Sequence, residues 1–498
     1  MATGAQGMPG TAPDSSDAER CARVRAALRT AGYSDEGITR TLGVDHLSQL
    51  RERRLPALLR RTRGGSPVET LARAFVLGQE VEEAAMAGAA GPAGLEDWEK
   101  LGLIARSAGG VRPEVQLRCY QGWVLAYDFA RLGEGGLRPD YVMGVSPSSL
   151  MLAALTVRRA VETGLDMGSG CGIQAMLAAR HCRRVVGVDC NPRAVAMARF
   201  NAVFNGVTNV EFRLGDMFAP VAGETFDLIV SNPPFIISPD FRHMFLNSGW
   251  ESDDASRRVV QEAPRYLRQG GYCVLNANWA VVEGEDWRAR LAGWCAGSGC
   301  DGLVLQQETA EPDRYAALLI QTGEASAEEF ARAFEQWMDY YAERHLTGIG
   351  AGVVVLRRES GRPNWFAVEP GPADIAVASG GTVEQLFALR AWLAGSGDAE
   401  LLEARLKLSE DVRLEQSCAA RDGVWRPVAM RLHRTGGLGF VGTIDGHGAA
   451  LLAGCDGTRT VRQQIATLAG ALETTSEAIT AASLAIIRRL IEQGFLQL

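Results

Sequence analysis

The sequence predicts an α/β fold: a doubly wound, mainly parallel sheet over residues 136–365. A mainly helical domain (17–135) precedes it and a small α+β domain (366–498) follows. Three observations predict the sheet. Short apolar runs around Leu165, Val186 and Ile229 each close on a polar turn, as strands covered on both faces do. Residues 173–180 and 192–205 have helical patterning between strand-like runs, which gives a β-α-β-α-β order. The turns after the runs carry Gly168, Gly170, Gly172, Asp189 and Asn232, and open α/β sheets bind ligands beyond the C-terminal ends of their strands.

The first turn reads Asp166-Met167-Gly168-Ser169-Gly170-Cys171-Gly172, with glycines spaced G-x-G-x-G. A dinucleotide fingerprint needs glycine or alanine where this chain has Ile173. The loop therefore admits a closely held ligand without calling for a pyrophosphate. Asp189 lies 21 residues beyond Gly168, placed to accept hydrogen bonds from ribose hydroxyls. Asn232-Pro233-Pro234-Phe235 ends the third run. The plain reading of these four is a tight turn after a strand. The chemical reading is that the Asn232 side-chain oxygen and the Pro233 carbonyl accept both N–H bonds of a planar nitrogen. The delocalised lone pair of that nitrogen then turns toward an electrophile, and Phe235 packs on the planar group.

These motifs resemble those of the class I S-adenosylmethionine-dependent methyltransferases, a Rossmann-like fold. The resemblance implies S-adenosylmethionine as cofactor. Asp166, Gly168, Ser169, Gly170 and Gly172 would hold its methionine part, Asp189 with Cys190 beside it the ribose, and Asp216 and Met217 the adenine, with Asn232 at the border. The Asn232–Phe235 run is similar to the N-P-P-[FY] motif of enzymes that methylate planar amide or exocyclic nitrogens. These include the release-factor glutamine methyltransferases and the adenine- or guanine-N-methylating enzymes. The motif implies Asn232, Pro233 and Phe235 as the catalytic set. Cys171 follows Gly170 where the release-factor enzymes more usually have Ser or Thr. The whole arrangement also resembles large actinobacterial methyltransferases with a helical N-terminal domain and a C-terminal extension, which carry no assigned substrate.

At 498 residues the chain is long enough for two or three domains. Its net charge of −8 disfavours a chain built to grip nucleic acid. Ten cysteines are scattered without a C-x-x-C pair, so no metal site is expected. No apolar leader or 18-residue apolar run is present, so the expected location is cytoplasmic, away from any membrane.

In chain order, residues 1–16 are expected to be a disordered tail. Helices follow around 18–31, 36–41, 55–59, 68–77, 84–86 and 95–103, then an extended stretch over 111–125. Helices followed by a hairpin suit a winged-helix-like unit, and Arg51, Arg53, Arg54, Arg60, Arg61 and Arg63 form its basic patch. Residues 138–150 bridge into the core, with Tyr141, Ser146 and Ser148 as candidate pocket residues and Ser148 as the alternative cap of a helix over 149–159. Beyond Phe235, the candidate acceptor-side residues are Pro234, Phe241, His243 and Trp250, then Asn278 and Trp279 past a strand over 272–277. Residues 303–307 and 315–321 suggest further strands or a helix–strand pair, 325–344 an amphipathic helix, and 350–357 the closing strand. The last region combines extended segments near 412–418, 424–432 and 439–441 with terminal helices, an arrangement compatible with a second winged-helix-like module.

The expected activity is N-methylation of a planar amide-like nitrogen on a protein or peptide. The alternatives are a small-molecule N- or O-methyltransferase, an RNA or DNA base methyltransferase, and a catalytically silent scaffold. The C-terminal domain would shape the acceptor site, hold a partner or make a homodimer.

Overall fold

The computed structural model describes residues 12–45, 54–129, 138–239, 250–320, 326–372 and 379–498. Most of the tail expected over 1–16 lies outside them, as do Arg51, Arg53, Phe241 and His243.

The N-terminal region is helical from Ala18–Thr30 through Gly94–Lys100, and two hairpins follow: Ile104–Ser107 with Gly110–Pro113, and Gln116–Tyr120 with Trp123–Tyr127. Ser34 caps the helix Asp35–Leu42, accepting from the Gly37 N–H at 3.0 Å.

The central sheet has eight strands: β1 (Val161–Met167), β2 (Cys182–Asp189), β3 (Val210–Leu214), β4 (Phe226–Ser231), β5 (Leu267–Val282), β6 (Cys300–Ala310), β7 (Leu346–Arg358) and β8 (Phe366–Pro370). Their order is β8-β6-β7-β5-β4-β1-β2-β3. The pairs among β1 to β5 are parallel, β7 runs antiparallel to β5 and β6, and β8 is parallel to β6. Helices α1 (Pro147–Leu155), α2 (Ile173–Ala178) and α3 (Pro192–Asn205) lie before and between the first strands. Apolar clusters cover both faces, with Leu228, Val274 and Val353 in one and Ile229, Cys273 and Val354 in the other.

Four boundaries differ from expectation. The sheet runs past 365, because Phe366–Pro370 pairs with β6 in register from Gly302↔Phe366 to Gln306↔Pro370. β5 continues through Asn278 and Trp279 to Val282, because β7 pairs with it along that whole length. Residues 312–320 form a single helix, not a strand. The cap of α1 is Ser146, whose hydroxyl accepts from the Ser149 N–H at 3.2 Å. Pro147 sets that start: its ring fixes a helical φ, and it has no N–H to satisfy. Ser148 therefore lies inside the first turn.

Side chains tie the N-terminal region to the sheet. Asn201 and Asn205, one turn apart on α3, bond both backbone groups of Ala126 and Val124, so a helix satisfies the hairpin edge. Asp128 and Arg193 form a buried ion pair, and Asp128 also accepts from the Val142 N–H at 2.9 Å. The bridge around 142 is thereby anchored over the sheet. At the other edge, buried Glu369 on β8 accepts from Arg390 and Arg489, two helices of the C-terminal region.

That region pairs Lys407–Leu408 antiparallel with Leu496–Gln497, with three helices between them in the chain. Inserted in it is a three-stranded sheet of β9 (Val412–Arg421), β10 (Val424–Arg434) and β11 (Val441–Thr443). Among the described residues, no helix is long and apolar enough to cross a membrane.

Candidate active site

The chain order reverses between β1 and β4, the switch point where open α/β sheets form their crevice. The glycine loop after β1 and the Asn-Pro-Pro turn after β4 lie back to back there. A Cβ on Gly168 would stand 3.5 Å from the Asn232 carbonyl oxygen, and its φ of +76° already favours glycine. Gly170 donates its N–H to Asp189 Oδ2 at 2.8 Å, and Asn191 donates to Asp189 Oδ1 at 2.9 Å. One carboxylate at the end of β2 thus holds both the loop of the first strand and the start of α3.

A single cleft joins these parts. Gly168, Ser169, Gly170, Asp189, Cys190, Asp216 and Met217 line it, and Asn232, Pro233 and Pro234 line its other side. Tyr141 and Trp250 complete the wall. Most of the residues expected at the site therefore come together, from four strand ends and the 138–150 bridge.

Some do not. Asp166 is 1% exposed and stands behind the wall. Its Oδ2 accepts from the Ala175 N–H at 2.9 Å, so it braces the start of α2. Burial pushes its carboxyl up to about 7, against the opposing effect of that amide. Gly172 also lies off the wall; a Cβ there would meet the Ala198 Cβ at 2.9 Å, so glycine serves the packing of α2 on α3. Phe235 is half-buried and outside the lining. Ser146 is spent as a cap; Ser149 takes the place on the wall.

Trp279 is fully buried, stacked on Trp287 with ring centroids 5.5 Å apart, so it is a core residue rather than part of an acceptor wall. Strand alternation turns the neighbouring Asn278 to the opposite face, where it donates to the Tyr315 hydroxyl at 2.6 Å and does not line the cleft.

The residue most missed by sequence reasoning is Asn276. Its Nδ2 donates to Asn232 Oδ1 at 2.7 Å and to the Ser148 carbonyl at 3.0 Å, at 1% exposure. It fixes the Asn232 amide with one oxygen lone pair committed and one left over. Met143, Gln174 and Asn191 also line the cleft unforeseen. The signal for Asn276 was a lone amide inside the apolar run Val274-Leu275-Asn276-Ala277, where a buried polar group needs a partner.

Burial raises both nearby thiols, Cys171 to about 12, which argues against a thiolate nucleophile. Burial also raises Asp189, against three amide hydrogen bonds that lower it. Among the described residues, no group of three His, Cys, Asp or Glu side chains is gathered for a metal.

Residues 146–282 match the family model of the methyltransferase small domain, and 30–114 and 384–498 each match a domain of unknown function. Release factor glutamine methyltransferase of Cereibacter sphaeroides is 38% identical over 138 residues, covering 25% of this chain and 49% of that one. Ribosomal RNA small subunit methyltransferase C of Alcanivorax borkumensis is 35% identical over 133 residues, 26% of this chain and 37% of that one. A "Putative protein N5-glutamine methyltransferase" of Methanocaldococcus jannaschii is 32% identical over 142 residues, 27% of this chain and 71% of that one. The chain spans about half the length of the release-factor relatives it matches.

The fold and the site define a class I S-adenosylmethionine-dependent methyltransferase. Within that class, the chain belongs to the family of the Methanocaldococcus jannaschii relative. S-adenosylmethionine is the cofactor of the class, and the cleft fits it. The space where a Gly170 Cβ would stand is open, with the Met143 carbonyl 4.0 Å away as its nearest neighbour, so a ligand can approach the loop backbone. Asp189 offers a half-buried carboxylate to hydroxyls, and Val142, Met143, Ile173 and Met217 offer apolar walls to a flat ring and a thioether-like chain.

Proposed function

We propose that the chain transfers a methyl group to a planar, amide-like nitrogen on a protein or peptide side chain. The observation that carries this reading is the placing of Asn232, Pro233 and Pro234 on the same cleft as the glycine loop and Asp189, with the Asn232 amide held by Asn276. The relatives named for glutamine methylation support the acceptor class.

S-adenosylmethionine, when bound, supplies an electrophilic methyl group. Asp189 would hold the ribose hydroxyls and the Gly168–Gly170 backbone the methionine part. Asn276 keeps Asn232 Oδ1 from rotating, so its second lone pair meets one N–H of the acceptor in a fixed direction. The Pro233 carbonyl takes the other N–H. A planar nitrogen held by both N–H bonds has its lone pair set perpendicular to that plane, so transfer would be a matter of positioning; the cofactor would leave as the neutral thioether and one N–H proton would pass to solvent. Trp250 closes the wall beside Ala255, with the Arg258 guanidinium 4.6 Å over its ring, which stiffens the aromatic against solvent.

The test is incubation of the full chain with methyl-labelled cofactor and a whole-cell extract containing protein, RNA and metabolites, read by mass spectrometry. Label on a side-chain amide nitrogen is the expected outcome. Label only on nucleic-acid bases or on hydroxyl groups would replace the reading.

A further inference from the structure

The far part of the β9–β10 ribbon is exposed on both faces, whereas its base is not: Leu432 is buried in the core of the C-terminal region. Trp425 is 71% exposed, Val424 56%, Val428 54% and Leu414 44%. The register sorts its side chains. Leu414↔Leu432, Gln416↔Met430, Cys418↔Pro427 and Ala420↔Trp425 share one face; Arg413↔His433, Glu415↔Arg431 and Ala419↔Arg426 share the other. One face is thus mainly apolar and the other cationic. Residues 412–434 carry five arginines against two carboxylates, in a chain of net charge −8. Arginines elsewhere are commonly paired, as Arg193, Arg290 and Arg362 are with buried aspartates. Arg413, Arg426 and Arg431 are exposed and form no ion pair among the described residues; Arg413 reaches only the Glu410 and Val412 carbonyls. The one carboxylate on that face, Glu415, lies opposite Arg431 and has His433 Nε2 at 2.9 Å.

β9 is also an edge. The sheet order is β9-β10-β11, so among the described residues the outer N–H and C=O groups of β9 have no sheet partner. Edges are normally blocked by proline, lysine or a bulge. β9 has no proline or lysine, and the register shift opposite Ser417 and Cys418 places the extra residue, Val428, on β10. The edge strand itself stays regular.

We propose that β9 takes an extended acidic segment of a polypeptide partner as an added strand, with apolar residues alternating with Asp or Glu. Alternation sends the apolar side chains toward the Leu414–Trp425 face and the carboxylates toward Arg413, with Arg426 and Arg431 reaching from the next strand. The added strand lays its apolar side chains beside exposed Leu414 and Ala420 of β9, supplies backbone partners to the edge and neutralises the free arginines. This deepens the polypeptide acceptor proposed above, giving the enzyme a docking segment apart from the methylated residue.

The test is fluorescence anisotropy of the full chain with a labelled peptide of alternating Glu and Val. Controls are the Lys–Val peptide and the Glu–Val peptide N-methylated on alternate backbone amides. Saturable binding that weakens with salt is expected. N-methylation, or the double variant Arg413→Glu/Arg431→Glu, should weaken it by about tenfold or more. Cofactor binding by the same variant, measured by calorimetry, should stay at the wild-type value and shows that it is folded. Equal binding of the Lys–Val peptide, indifference to N-methylation or absence of saturable binding overturns the proposal. So do tighter, arginine-dependent binding of an RNA oligonucleotide or anionic vesicles, and self-association lost in the double variant, which would assign the edge to a second copy. Methyl transfer to an amide nitrogen without peptide binding would remove the docking strand alone. Peptide binding without amide methylation would remove the acceptor reading alone.

Discussion

The two halves of the cleft are built by different means. On the cofactor side, backbone groups do the positioning: Asp189 is fixed by the amides of Gly170 and Asn191, and the loop by the ends of β1 and β2. Those contacts lie within one β-α-β unit. On the acceptor side, position comes from side chains that meet across long separations. Asn232 is held by Asn276, 44 residues on, and Trp250 and Ala255 join from a later segment. Backbone amides that meet one carboxylate constrain a single residue type, Asp189; side-chain pairs across long separations constrain two. The first half can therefore remain the same while the second is rebuilt for a new acceptor, which accords with relatives named for both glutamine and ribosomal RNA methylation.

The largest expected effect falls on the cofactor side, at Asp166. Its carboxyl is raised from 3.8 to about 7 by burial. The folded chain keeps a proton that the unfolded chain has lost across that interval. The contribution to stability is full below pH 3.8 and disappears as pH rises through 7, roughly 4 kcal/mol for this group alone. Asp166→Asn keeps the shape and should flatten that part of the slope in urea unfolding from pH 4 to pH 8. An unchanged slope would mean that burial does not raise the Asp166 carboxyl in the folded chain.

Next come the two residues that separate the halves. Asn232→Ala should lower turnover by roughly 100-fold, as loss of a positioning contact does, and leave cofactor affinity at wild type. Asp189→Ala should do the reverse, weakening cofactor binding by about tenfold to a hundredfold in calorimetry with a smaller loss of turnover at saturation. If Asn232→Ala weakens the cofactor as much as Asp189→Ala does, the division of the cleft fails.

The same division governs what could be read from the sequence. The glycine loop, Asp189 and Asn232 were legible because strand ends and turns are local, whereas Asp216-Met217 was legible only through the family resemblance. Asn276 was not, since nothing in the spacing pairs it with Asn232. The polar pair Asn276 and Asn278 made β5 look finished at 277, yet the strand runs on because β7 supplies its ladder, a tertiary fact. The extent of the sheet was misjudged for the same reason: Phe366–Pro370 is too short a run to stand out, and only its partner β6 makes it a strand. Ser146 and Ser148 are equivalent as caps by residue type, and Pro147 between them decides the matter.

The smallest effect tests the assignment of Trp279 to the core. Its indole lies over the bare backbone of β7: a Cβ on Gly350 would stand 2.1 Å from Nε1, and one on Gly352 3.1 Å from Cη2. Those glycines leave the room that the ring fills. Trp279→Phe should lower unfolding stability by about 1 kcal/mol, the cost of a partly filled space. Turnover and cofactor affinity should stay at wild type, because the ring faces Trp287 and not the cleft. Gly350→Ala should then destabilise the wild type more than it destabilises the Trp279→Phe chain, since the shorter ring relieves the clash. Additive losses in that cycle, or a drop in turnover from Trp279→Phe alone, would return Trp279 to the acceptor wall.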